Sequence, residues 1–266
     1  MSRVRLISWN VNGIRACYKK DLQGFVHSSE VDILCLQETK AHLEQVEAPV
    51  RDLGFSHAEW SSAHRKGYSG VATFSKMKPE QTLKGMDMPA YDNEGRIVIS
   101  EFPHFKLYNI YFPNGGSGEE RHQFKQQFLK DLYLHLKPQV QSNVPIVLVG
   151  DYNIAHKTED VYDPVRLSKE SGFLPEERDW MSQFFDLGFI DTFRHFHADE
   201  KNRYSWWSYR ELARISNRGW RIDYISITKN LLPYLKSADI WDQIHGSDHC
   251  PVVADFEFGT SEMKKE

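Results

Sequence analysis

The chain has 266 residues, 40% hydrophobic and 26% charged, with a formal net charge of −4. This is the make-up of an ordinary soluble protein with room for a substantial core, and its bulk charge does not announce a nucleic-acid binder. No apolar run reaches membrane-spanning length, and Cys17, Cys35 and Cys250 are too scattered for a cysteine-bound zinc or a disulfide framework.

The first residues, MSRVRLISWN, begin directly in a strand-like pattern over residues 4–9, which argues against a signal peptide and, with the cysteine usage, for a cytoplasmic protein. A helix is expected over 19–28, a strand over 31–37 and a helix over 43–53. Strands follow at 70–74, 96–102 and 107–112. Residues 114–120, NGGSGEE, are glycine-rich but lack a P-loop lysine and read as a flexible loop. A helix over 119–136 then repeats Phe124, Phe128, Leu132 and Leu136 at helical spacing. Residues 146–149 are an unbroken apolar run suited to a strand covered on both faces. A helix over 176–187 opens behind Pro175 and stops at Gly188, and strands at 223–228 and 252–258 complete the set. With no linker or repeat, one layered α/β domain is expected over residues 1–258, two sheets packed together with helices outside, and a frayed tail over 259–266.

The strand boundaries carry the chemistry. Asn10 and Asn12 end the first strand, and Glu38 ends the second. Tyr111 and Asn114 close a third, and Asp151 and Asn153 close the apolar run, where an extended chain would aim both side chains the same way. Asp223 opens one strand, and Asp248 and His249 lead into the last. Asn and Asp at any one of these places are explained as turn or cap residues, but six such segments together point to one shared site.

Carboxylates without thiols suit Mg²⁺ or Mn²⁺, which would neutralise phosphate charge during phosphodiester hydrolysis. An acid beside an amide suits activation of water, and an imidazolium needs a carboxylate partner, for which Asp223 and Asp248 are candidates. Basic residues gather in three groups: five arginines against one acid over 203–221, then Arg15 with Lys19 and Lys20, then Arg65 with Lys66. Together they leave room for a phosphate-binding face.

In chain order the segments SWNVNGIRA, DILCLQETK, GYSGVATFS, NIYFPNGG, GDYNIAH, SGFLPEER, SWWSYR, NRGWRIDY and GSDHCPV resemble the exonuclease III type of apurinic/apyrimidinic (AP) endonuclease, within the endonuclease/exonuclease/phosphatase superfamily. The match spans roughly residues 4 to 258. The resemblance implies a four-layer α/β sandwich of two packed mixed β-sheets flanked by helices, with the site at one end of the sheets. It implies Glu38 as principal metal ligand with Asn12 nearby and Asp248 close to the metal, Asn12 standing where some relatives carry Asp. Asp151 would be the base, Asn153 would position the water, and His249, oriented by Asp223, would contact the scissile phosphate. Tyr111, Asn10 and Asn114 would donate to phosphate oxygens.

By the same resemblance Trp206, Trp220 and Ile222 wall a pocket for a base-less deoxyribose, while at least one of the adjacent tryptophans Trp206 and Trp207 belongs to the core. Arg15, Lys20 and Tyr68 take backbone-contact positions on double-stranded DNA. The implied activity is Mg²⁺-dependent (or Mn²⁺-dependent) cleavage 5′ to abasic sites; apart from the resemblance, a monomer that uses no membrane is the simplest expectation. A 3′-phosphodiesterase, 3′-phosphatase or 3′→5′ exonuclease activity would accompany the cleavage. The rivals are a superfamily phosphodiesterase for RNA or small phosphoesters, against which the Trp/Arg segment argues, and a non-catalytic nucleic-acid-binding relative, against which the intact acids and histidine argue.

Overall fold

A strand that is apolar on both faces needs cover above and below as well as neighbours on either side. The computed structural model, which describes residues 2–259, meets that need with two sheets laid face to face. The strands are β1 (Ser2–Asn10), β2 (Ile33–Gln37), β3 (His57–Ser61), β4 (Val71–Ser75), β5 (Gln81–Lys84), β6 (Ile97–Phe102), β7 (Phe105–Tyr111), β8 (Ile146–Asp151), β9 (Phe189–Asp191), β10 (Asp223–Thr228), β11 (Leu235–Ile240) and β12 (Val252–Phe258). One sheet runs β11-β12-β1-β2-β4-β3 and the other β5-β6-β7-β8-β10-β9.

Alternation along each strand sorts its side chains into layers. Val4 and Leu6 of β1, with Val147 and Val149 of β8, enter the core between the sheets. Ile7 and Trp9 face the opposite way, into a cluster with Phe25 and Val50. Ile146 and Leu148 turn outward to meet Phe128, Leu132, Met181 and Phe184. Three apolar seams therefore separate four layers, the sandwich that the resemblance implied.

The helices are α1 (Ile14–Tyr18), α2 (Leu22–Ser29), α3 (Ala48–Asp52), α4 (Pro89–Asp92), α5 (Glu119–Gln141), α6 (Pro175–Leu187) and α7 (Thr192–Phe196). The single helix expected over 43–53 is instead a 3₁₀ turn, Leu43–Gln45, followed by α3. Pro49 has no N–H to give to the preceding turn, so the helix restarts around it. Helix α5 outlasts its expected end by more than a turn and carries Pro138 inside it. Among the described residues no helix is long and apolar enough to cross a membrane. The expected frayed tail lies, apart from Gly259, outside the described residues.

Strand direction explains why the polar boundaries meet. β1 and β2 are parallel, so Asn10 and Gln37 pair at the same end, one residue before Glu38. β7 and β8 are parallel, which sets Tyr111 against Asp151. β10 is antiparallel to β8, so its first residue, Asp223, also pairs with Asp151. β12 is antiparallel to β1 and begins beside Ser8, which brings the preceding Asp248 and His249 to the same edge. Gly150 is required by this arrangement: at φ 146°, a Cβ there would sit 1.8 Å from the Ile110 carbonyl oxygen.

Candidate active site

Three of the expected site residues leave their strands through left-handed backbone: Asn12 at φ 44°, Glu38 at 52° and Asn153 at 53°. Asparagine tolerates that region, whereas for Glu38 it is a strained conformation held by its surroundings. The expectation that Asp151 and Asn153 project together from extended chain is corrected here. The strand ends at Asp151, and Asn153 folds back so that its N–H donates to Asp151 Oδ1 at 2.8 Å. Asn12 repeats the device, its N–H donating to Asn10 Oδ1 at 2.9 Å. A side-chain-closed turn thus ends a core strand in each sheet.

Asp151 is the most elaborately held carboxylate at this edge. Its Oδ2 accepts from Asn10 Nδ2 at 2.9 Å and Asn153 Nδ2 at 3.2 Å. Asn153 Nδ2 also donates to the Phe112 carbonyl, and Asn153 Oδ1 accepts from Asn114 Nδ2 at 3.0 Å. His249 presents Nε2 to Asp151 Oδ2 at 3.9 Å, while its Nδ1 pairs with Asp223 Oδ2 at 2.8 Å. Burial pushes the Asp151 carboxyl up to about 7, and the Asp223 charge adds to this, against the pull of His249 and Asn10. Burial opposes the imidazolium of His249, yet Asp223, Asp151 and Asp248 outweigh it and hold its pKa at about 10. At neutral pH the site therefore carries a charged imidazole gripped by a carboxylate, beside an acid poised near its titration point.

The second half of the site centres on Glu38. Tyr111 donates to Glu38 Oε1 at 2.6 Å, and Lys40 stands 3.5 Å from Oε2. Burial and the charges of Glu38 and Asp151 raise Tyr111 well above the usual phenol range, so it stays a donor. Lys40 also donates to Asn12 Oδ1, and Asn12 Nδ2 donates to Asp248 Oδ1 at 2.9 Å. Asp248 further accepts from Trp206 Nε1 and Ser247 Oγ. Burial alone would raise Asp248; His249 and these donors outweigh it and hold the acid below its ordinary range.

A hard divalent cation fits this corner on the chemistry of its donors. Glu38, Asn12 and Asp248 offer only oxygens, and an ammonium already stands between Glu38 and Asn12. Asp151, Asp223 and His249 form a tighter cluster of metal-capable atoms, all within 4.8 Å. There, however, the Nδ1 of His249 is committed to Asp223 and both Asp151 oxygens accept hydrogen bonds. That trio is an imidazole bracketed by two acids, its Nδ1 already engaged.

Of the expected metal and catalytic residues, all but the buried Asp223 open onto one cavity of about 570 Å³, whose lining also includes Trp206, Trp220 and Ile222. Trp206 and Trp220 meet edge to face at 6.4 Å, and Trp207 is the core tryptophan of the adjacent pair, 3% exposed. Arg15 and Lys20 are exposed and outside this cavity. Arg15 lines a separate shallow one with Lys19, and Lys20 reaches the Gly246 carbonyl at 3.2 Å. Tyr68 is half-buried, its hydroxyl accepting from Arg96 and Arg121.

Tyr111, Asn10 and Asn114, expected to donate to phosphate, each give one donor to another site residue here. One reading changes. The arginine group over 203–221 is mainly internal: Arg221 is bound to Asp160 and Asp191, Arg203 to Glu200 and Asp239, and Arg214 to two backbone carbonyls. Arg210 is exposed and Arg218 reaches the cavity. Lys40, Arg166, Glu170 and Glu211 also line the cavity and were not anticipated. Only Lys40 left a signal, two positions after Glu38.

A model of the endonuclease/exonuclease/phosphatase family matches residues 7–249. The chain is 40% identical over 250 residues to an exodeoxyribonuclease of Bacillus subtilis, covering 94% of this chain and 98% of that one. It is 37% identical to the DNA repair nuclease APEX1 of Danio rerio, covering 95% of this chain and 82% of the relative. The structure of an AP endonuclease from Archaeoglobus fulgidus superposes with a TM-score of 0.87 at 29% identity, covering 96% of this chain and all of that one.

Proposed function

Since the chain belongs to the endonuclease/exonuclease/phosphatase family, we propose that it is a DNA repair nuclease that hydrolyses the phosphodiester 5′ to an abasic site and leaves a 3′-hydroxyl. Activity at 3′ ends accompanies incision; the relative named exodeoxyribonuclease supports an exonuclease activity without giving its polarity. One observation carries the reading. A carboxylate fixed by Asn10 and Asn153, a charged His249–Asp223 pair and the Glu38 corner share one cavity walled by Trp206, Trp220 and Ile222.

Asp151 accepts the proton of the attacking water, with Asn153 beside it to fix the water's line of approach. His249, charged and oriented by Asp223, donates from Nε2 to a phosphate oxygen as negative charge grows in the transition state. Asn10 keeps the Asp151 carboxylate aimed, and Asn114 does the same for the Asn153 amide. Tyr111 holds Glu38 in its strained conformation. Glu38, with Asn12 and Asp248 beside it, would hold Mg²⁺ (or Mn²⁺), which would supply charge neutralisation for the phosphate and the leaving oxygen. The aromatic wall accepts a sugar without a base and excludes a normal nucleotide by its base, while Arg15, Lys20 and Tyr68 steady the flanking backbone.

The three buried, unbridged cysteines support a reducing, cytoplasmic compartment. The protein acts as a monomer built as one domain over residues 1–258.

The test is incision of a labelled duplex carrying one tetrahydrofuran abasic analogue, against a matched undamaged duplex, in Mg²⁺ and in EDTA. Metal-dependent cutting at the analogue alone, lost in Asp151→Asn and Glu38→Ala, is expected. Tight binding without cutting in Mg²⁺ or Mn²⁺ would sink the enzymatic reading, and neither binding nor cutting would redirect attention to RNA and small phosphoesters.

A further inference from the structure

Behind the Asp151–Asn153 turn lies a fully buried ion pair that the mechanism above does not use. Lys125 of α5 and Glu177 of α6 are both 0% exposed, and Lys125 Nζ donates to Glu177 Oε1 at 2.5 Å. The same ammonium donates to the main-chain carbonyl of Asn153 at 2.8 Å. The other oxygen of Glu177 accepts from the N–H of Gly172 at 2.6 Å and of Leu174 at 3.1 Å. Gly172 lines the cavity, and its carbonyl accepts from Ala155 N at 2.7 Å.

Taking two charges out of water costs several kcal/mol each, and such a pair seldom stabilises more than packed apolar side chains would. Capping explains part of Glu177, since Leu174 precedes α6 and the glutamate sits in its first turn. It does not explain Lys125, whose ammonium reaches the one residue that combines left-handed backbone with contacts to both Asp151 oxygens. The space for error is small as well. A Cβ on Gly172 would lie 3.1 Å from the Asn153 carbonyl oxygen and 3.3 Å from Trp220.

We propose that Lys125 and Glu177 are positioning residues that clamp the Asn153 peptide and the Gly172 lip together, fixing Asp151 and Asn153 toward the scissile phosphate. The inference rests on the functional reading above. Displacing a reacting group by about 1 Å costs roughly a hundredfold in rate, so loss of the clamp falls on kcat rather than on binding.

The test compares Lys125→Met, Lys125→Arg and Glu177→Gln with wild type on the tetrahydrofuran duplex, reading kcat, KM, the pH dependence of kcat and Tm. Lys125→Met is expected to lower kcat at least tenfold with KM within about threefold. Its acid limb should move to higher pH, because a cation near Asp151 is lost. Lys125→Arg should recover part of kcat. If Lys125→Met does not fold, Glu177→Gln decides, with the same kcat-selective loss expected. Folded variants with lowered Tm but kcat within twofold and an unmoved acid limb would overturn the inference and leave the pair a structural brace. A wild-type protein inactive on this duplex would overturn the functional reading, and this inference with it.

Discussion

Asp151 is asked to give up a proton at neutral pH in a place where burial and the Asp223 charge favour keeping it. In the free enzyme the carboxyl lies at about 7, so the base form grows as pH rises through that value. His249 remains charged until about 10. The expected profile of kcat/KM rises through about pH 7, then holds until the imidazolium titrates near 10, each limb belonging to the interacting set. A divalent cation at Glu38 adds positive charge, so the acid limb should move to lower pH as Mg²⁺ is raised. Asp151→Asn should lower kcat by about 10²–10⁴ and remove that limb. A residual activity that keeps the limb would assign the proton to another acid. The identities of Asp151, Asn153, Glu38 and His249 were legible in the sequence because each sits at the edge of an apolar run. Their geometry was not, because a left-handed turn at Asn153 or Glu38 depends on contacts made by residues far away in the chain.

At the scale of elements the same contrast has a regular form. The eight strands anticipated from the sequence are the eight interior ones, and the four missed, β3, β5, β9 and β11, are the edges of the two sheets. Interior strands are covered on both faces and read as apolar runs. Edge strands are polar, short or irregular: β5 is mostly exposed, β9 has three residues, and β11 shifts register between Leu235 and Ser237. Asp160 shows what the missed long-range contacts do. It is fully buried, accepts from Arg221 and Arg194, and so ties the start of β10 to α7 and to the segment that follows the Asp151–Asn153 turn. Burial opposes the carboxylate, but Arg221 and Arg194 overcome it and hold the pKa down at about 2. Because the folded value is depressed, this stabilisation is full above about pH 4 and fades as pH falls toward 2. Asp160→Asn leaves Arg221 buried with half its partners, and about 3–5 kcal/mol of stability should be lost at pH 7 in urea unfolding. The variant should also lose less stability than wild type between pH 4 and 2. A midpoint at pH 7 unchanged from wild type would show that Asp191 alone satisfies Arg221.

The whole molecule must bring a polyanion to a protein whose net charge is −4. The structure removes Arg203, Arg214 and Arg221 from the account, since acids and carbonyls inside the fold already hold them. Exposed positive charge remains at Arg15, Lys19, Lys20, Arg65, Lys66 and Arg210, with Lys20 tethered to the segment that carries Asp248 and His249. Binding to DNA should then be local and strongly dependent on salt, because each phosphate neutralised by these side chains releases counterions. The slow Asp151→Asn background, assayed in EDTA, isolates the binding step. There, log Kd against log salt should be steep on abasic duplex. Adding Arg15→Ala and Lys20→Ala should flatten it by roughly 0.9 for each phosphate left without its cation, about 1.8 for the pair. The weakening should be the same on duplexes of unrelated sequence, since side chains that grip phosphates position DNA without reading bases. In the active enzyme the same pair of substitutions should raise KM far more than it lowers kcat. An unchanged slope would remove both residues from the interface and place the phosphate grip on the cavity arginines Arg166 and Arg218, whose substitution should then flatten the slope instead.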